Sequence, residues 1–106
     1  MKILFDQGTP IPLRQSFPSH QVVTAYELGW DNLSNGDLIS HAEKSDFHLL
    51  ITTDQNLRYQ QNLDNRKISI LVLQKTSWPR IQKVLELIIS EVEKSSLGSY
   101  KELQIP

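Results

Sequence analysis

Short, unbroken apolar runs separated by helical patterning constrain this chain more than any other feature. Ile3-Leu4-Phe5, Leu49-Leu50-Ile51 and the stretch from Ile68 to Leu73 place hydrophobic side chains at successive positions, with Ser69 as an interruption. Continuous runs of this length suit strands covered on both faces, whereas a half-exposed strand would alternate. His20 to Thr24, β-branched at its centre, is a further strand. Segments with helical signals separate these runs. Strands alternating with helices imply a parallel, doubly wound sheet, with right-handed crossovers expected. The reading is an α/β, three-layer domain spanning residues 1–106, with about four strands in the order 2-1-3-4.

The helical signals are individually physical. Ser34 can cap a helix that carries Asp37 in its first turn and Leu38, Ile39 and Ala42 on one face, reaching about Lys44. Thr9 can cap a short helix with Pro10 at its first position, and Asp54 can cap another through Leu57, Tyr59 and Gln61. The clearest pattern is the last: Ile81, Val84, Leu85, Ile88, Ile89 and Val92 form one stripe, predicting a long amphipathic C-terminal helix between Pro79 and Gly98. The tail over residues 97–106 alternates weakly and is read as an edge strand or a cover for a partner.

Composition narrows the function classes. The 106 residues suit one domain, and no cysteine is present, which excludes disulfides and thiolate metal sites. No apolar run approaches the roughly 20 residues that cross a bilayer, and the first residues lack a signal-peptide pattern, so a cytoplasmic location without membrane contact is expected. The net charge of -1 argues against a binder that relies on phosphate contacts alone. A nucleic-acid role must then rest on a local patch or a metal.

Asp6 follows the first strand, Asp54 the third, and Asp37 opens the helix between strands two and three. In the expected order, strands one and three are neighbours whose carboxyl ends flank a crevice, so Asp6 and Asp54 would face one another with Asp37 in reach. Two carboxylates about 4 Å apart repel by roughly 4 kcal/mol at an effective dielectric near 20, so such a cluster calls for a cation or a shifted pKa. Mg2+ or Mn2+ fits hard oxygen donors and can activate water toward a phosphodiester. Each aspartate also has a plainer role: Asp54 as a cap, Asp37 as a first-turn acid, Asp6 as a strand-ending turn residue. Glu27 and Asp31 are weaker candidates. Arg58, Tyr59, Arg14 and Asn56 are the substrate-binding candidates, through phosphate pairing, base stacking and amide readout; a solvated helix face is the alternative for Arg58 and Tyr59. His20, His41 and His48 lack ligand spacing, and Trp30 and Trp78 read as core or interface anchors.

Leu4-Phe5-Asp6-Gln7-Gly8, Asn35-Gly36-Asp37-Leu38-Ile39 with Ala42, and Leu50-Ile51-Thr52-Thr53-Asp54 together resemble the PIN-like superfamily, in particular its small bacterial members related to the toxins of toxin-antitoxin pairs. The resemblance runs from Met1 to about Leu73 and continues at Trp78-Pro79-Arg80-Ile81. It implies a Mg2+- or Mn2+-dependent ribonuclease, an RNA substrate, an antitoxin partner, and Asp6, Asp37 and Asp54 as acidic ligands. The chain departs from many relatives by carrying Gln7 and Asn56 where acids stand, and a neutral amide weakens metal binding.

Two rivals remain. A PIN-like module without catalysis would bind RNA or a protein, and Leu87, outside the main stripe, could pair with a second copy. A receiver-like phosphoacceptor would use Asp6, Asp54 and Lys75, but Gln7 stands where such domains pair acids, and only four clear strands are legible.

Overall fold

The computed structural model describes residues 1–57, 66–96 and 98–106. Five parallel strands form one sheet in the order β2-β1-β3-β4-β5. They are β1 (Lys2–Phe5), β2 (Gln21–Thr24), β3 (Leu49–Thr52), β4 (Ser69–Leu73) and β5 (Tyr100–Leu103). The weakly alternating tail supplies β5, which pairs with β4 from Ile70↔Tyr100 to Leu73↔Leu103. Edge strands are covered less than central ones, which is why Lys101 and Glu102 can sit there while β3 and β4 are buried throughout.

Strand pleating divides the core into two layers. Ile3, Phe5, Leu49, Ile51, Leu71 and Leu73 face one side, where Leu13, Phe17, Ile81, Ile88 and Val92 pack on them. Leu4, Leu50, Ile70 and Val72 face the other, against Leu38, Ile39, Ala42, Phe47 and Leu57. Strands β1, β3 and β4 are therefore apolar at consecutive positions because both faces are covered.

Helix α1, Asn35–Lys44, lies on the second face, and Ser34 Oγ accepts the Asp37 N–H at its start. The β1–β2 connection is shorter than a full helix. It is a 3-10 helix, Ile11–Ser16, preceded by Pro10 with no side-chain cap. Thr9 is not the cap expected from the sequence, because its hydroxyl is turned toward Asp6 and the Ile51 carbonyl.

The long C-terminal helix is two segments, α2 (Trp78–Gln82) and α3 (Leu85–Lys94). They meet where the N–H groups of Lys83 and Val84 bond three residues back, to the carbonyls of Arg80 and Ile81. This tightened turn keeps Ile81 and Ile88 on the same buried face. Both segments pack on the face that carries the 3-10 helix, whereas α1 packs on the opposite one. The β2–β3 and β4–β5 connections step the same way along the sheet. Passing on opposite faces, they have opposite hand, a departure from the uniform handedness expected of parallel crossovers. The six-residue 3-10 helix cannot cover Ile3, Phe5, Ile51 and Leu71 by itself, and the α2–α3 pair supplies the missing layer.

Candidate functional site

The site grows from the carboxyl ends of β1 and β3, at the point where successive connections leave the sheet in opposite directions. The register pairs Phe5 with Ile51, and the ladder continues through the Asp6 N–H to the Ile51 carbonyl at 3.1 Å. Asp6 is thereby carried to the side of Thr52.

Thr52 is 2% exposed and joins the two acids. Its hydroxyl donates to Asp6 Oδ2 in a short hydrogen bond and accepts the Asp54 N–H at 3.1 Å. The Thr9 hydroxyl lies 2.7 Å from Asp6 Oδ1 and 2.9 Å from the Ile51 carbonyl, so one proton serves two acceptors. Burial raises the Asp6 carboxyl above its ordinary 3.8, against the opposing pull of the Thr52 and Thr9 hydroxyls and the Gly8 and Thr9 N–H groups. Desolvation wins. Gly8 also brings the two loops into close approach, since a Cβ there would collide with Thr53 Oγ1.

Asp54 is held differently. Its Oδ1 accepts the Asn56 N–H at 3.0 Å and its Oδ2 accepts Asn35 Nδ2 at 2.6 Å, which ties the end of β3 to the start of α1. Asp37 is exposed on the first turn of α1 and lines neither of the cavities that contain Asp6. Its backbone carbonyl is 2.8 Å from His41 Nδ1. The structure therefore joins Asp6 and Asp54 through Thr52, while Asp37 is in the lining of neither cavity at Asp6. Among the described residues, no three His, Cys, Asp or Glu side chains gather as a metal cluster.

Two cavities meet at Asp6. One, about 200 Å³, contains Asp6, Gln7, Trp30, Asp31, Leu33 and Asn35 among its walls. The other, about 210 Å³, lies between Asp6, Gln7, Thr9, Ile11, Thr24 and Tyr26. A third, about 430 Å³, is lined by Gln55, Gln74, Lys75 and Gln104, each a few residues past the end of β3, β4 or β5. Glutamines thus follow four neighbouring strands, Gln7 after β1 completing the row.

The substrate candidates divide. Arg14 forms an ion pair with Glu27, whose carboxylate also accepts the Thr24 N–H at 2.9 Å and is held below its ordinary value by that bond and by Arg14. Asn56 is exposed and its N–H serves Asp54. Arg58 and Tyr59 lie outside the described residues. His20 and His48 stand at the amino end of the sheet, against the Met1 amine and the Lys2 N–H. Trp30 stacks edge-on with His41 and Phe47, and Trp78 packs on the core.

Sequence reasoning gave little weight to Asp31 and none to Asn35 as a separate group, and it missed the linking role of Thr52. The signal for Thr52 was its place as the last strand residue, two before Asp54; nothing local showed that it would also meet Asp6. The polar side chains near Asp6 carry carboxylate, amide and hydroxyl oxygens, a chemistry that suits a hard cation better than zinc. Compared with known proteins, the chain matches no family model, no curated protein and no solved structure.

Proposed function

We propose that this chain is a PIN-like, Mg2+- or Mn2+-dependent ribonuclease, with Asp6 and Asp54 as the principal acidic groups. One observation carries the reading: a largely buried carboxylate, oriented by two hydroxyls, opens onto two cavities at the switch point of a parallel sheet. A buried acid at that position is costly to the fold, which is the mark of a group retained for chemistry. Asp6, with Asp31 on the same cavity, would hold the ion, and Asp54 would act through Thr52 and Asn35. When bound, such an ion polarises a phosphodiester and makes water more acidic. The chain's own part is to orient Asp6, keep it poor in water, and present the neutral glutamine row to RNA. Asp37 serves chiefly as a first-turn acid in this arrangement.

The resemblance extends the reading to a toxin with an antitoxin partner, and Leu87, 45% exposed on α3, is the residue for a second copy to cover. A second reading, an RNA- or protein-binding module without catalysis, is favoured by the neutral amides at Gln7, Asn35 and Asn56 and by the lack of a three-acid cluster among the described residues. The receiver-like reading shares the strand order 2-1-3-4-5. It is weakened because both Asp54 oxygens carry hydrogen bonds and because the β4–β5 connection has the opposite hand.

Thermal unfolding during a Mn2+ titration tests the proposal. A bound ion stabilises by about 2.7 kcal/mol at a hundredfold excess over Kd. The wild type should show that saturable rise and cleave single-stranded RNA, Asp6→Asn should lose both, and Asp37→Asn should retain both. An equal Mn2+ response in Asp6→Asn overturns the metal assignment. RNA binding without cleavage or a Mn2+ response supports the binding module, and labelling of Asp54 by a phosphodonor supports the receiver.

A further inference from the structure

We infer that the pocket between Tyr26 and Ile11 receives an unpaired nucleobase and so positions RNA over Asp6; the choice of RNA rests on the proposed function. Tyr26 is 72% exposed and Ile11 is 62% exposed, the two most exposed large apolar side chains among the described residues. Scattered exposed hydrophobics are ordinary in soluble proteins. These two differ because they come from separate segments, the turn after β2 and the start of the 3-10 helix, and wall the same cavity as Asp6.

The size of the cavity selects the occupant. At about 210 Å³ it falls below the roughly 300 Å³ at which drug-sized pockets begin. One ring system fits better than a peptide helix. An aromatic ring and an aliphatic side chain lining one cavity supply the apolar surfaces on which a base stacks, and Gln7 in the same lining offers an amide donor and acceptor to a base edge.

The slot is also braced. The turn carrying Tyr26 is closed by hydrogen bonds from Leu28 N–H and Trp30 N–H to the Ala25 carbonyl and from Gly29 N–H to the Tyr26 carbonyl. Thr24 and Glu27 exchange two further bonds. Glu27 then pairs with Arg14 on the 3-10 helix, which links the segments that carry the two walls. Arg14 therefore serves as a strut for the slot. With Arg14 neutralised and a net charge of -1, affinity must come from stacking more than from phosphate contacts.

Fluorescence anisotropy with dye-labelled single-stranded RNA in EDTA separates binding from metal and cleavage. Tyr26→Ala should weaken binding at least about fivefold, the lower bound for one lost base stack, while Tyr26→Phe stays close to wild type. Gln82→Ala, an exposed and uncharged change at the end of α2, should have no effect. Between about 50 and 200 mM salt the affinity should fall less than tenfold, against the thousandfold or more of a binder that makes many phosphate contacts. Wild-type binding by Tyr26→Ala, equal binding of duplex RNA, or no RNA binding at all overturns the inference. Tyr26-dependent binding without a Mn2+ response leaves the inference standing and removes the nuclease reading; an Asp6-dependent Mn2+ response with no Tyr26 effect does the reverse.

Discussion

Replacing Thr52 by valine should cost this protein about 2–4 kcal/mol at neutral pH and much less in acid. Valine keeps the β-branched shape on a 2% exposed strand end, so the change is nearly confined to the hydroxyl. Two bonds disappear: a donation to the Asp6 carboxylate, worth about 1.5–3 kcal/mol for a charged acceptor, and the acceptance of the Asp54 N–H, worth about 0.5–1.5 kcal/mol. Burial raises the folded Asp6 carboxyl above 3.8, so the folded state binds that proton more tightly than the unfolded chain does. Its net contribution is therefore favourable below 3.8 and is lost as pH rises through the folded value. Removing Thr52's donated bond raises the carboxyl further. The deficit of Thr52→Val is thus complete above the variant's Asp6 value, shrinks as pH falls from that value to the wild-type one, and is smallest below the wild-type value, where the acid is neutral in both proteins.

Urea unfolding of wild type and Thr52→Val at pH 7 and at about pH 3 reads this directly. In thermal melts the neutral-pH deficit corresponds to a drop of about 8–16 °C at roughly 4 °C per kcal/mol for a domain of this size. Thr52→Ser keeps the hydroxyl and should lose about 1 kcal/mol, with no pH dependence in its deficit. A Thr52→Val deficit below about 0.5 kcal/mol at pH 7, or one of equal size at both pH values, would refute the reasoning, because the hydroxyl would then not be bearing on an ionised Asp6.

Glycine substitutions offer an independent check. Gly98 has φ +77 and a Cβ there would sit 2.9 Å from the Arg66 carbonyl, so Gly98→Ala should cost about 2 kcal/mol or more in urea unfolding. Gly29, at φ +73 with open space around it, should cost only about 1 kcal/mol; equal losses would show that backbone crowding at Gly98 is not the cause. Glu43 is pushed up by burial, but the Lys67 N–H, Arg66 and the Ile68 N–H outweigh that and hold it below 4.5. A lowered carboxyl contributes stability that is present above 4.5 and lost as pH falls through the folded value. Glu43→Gln should therefore lose about 1–2 kcal/mol at pH 7 and less at about pH 3, measured by the same unfolding assay; a loss independent of pH would contradict it.

Local pattern and tertiary outcome can be compared residue by residue. The β3 run Leu49 to Thr52 was legible because a buried strand needs no alternation, and α1 because Ser34 and its apolar face signal both start and side. The tail was ambiguous, since β5 carries Lys101 and Glu102 and owes its place to pairing with β4 more than to its own hydrophobicity. The break between α2 and α3 was invisible because a tightened turn leaves the Ile81 to Ile88 stripe in phase. Asp37 read as a crevice residue, yet a first-turn acid is equally satisfied facing water, and it is exposed. Arg14 read as a phosphate ligand, but an ion pair with Glu27 depends on which turn folds beside the 3-10 helix.

By itself the sequence determined which segments are buried, that the strands run parallel, and that Asp6 and Asp54 follow neighbouring strands, because burial period and connection length are local properties of the chain. Only the tertiary structure decided that the Thr52 hydroxyl would bear on both acids, that Tyr26 and Ile11 would wall one slot, and that the α2–α3 pair would cross on the face opposite α1. Those outcomes depend on strand register and on which face remained uncovered, and register is set by the packing of the whole sheet, where one residue of slip would carry Asp6 away from Thr52.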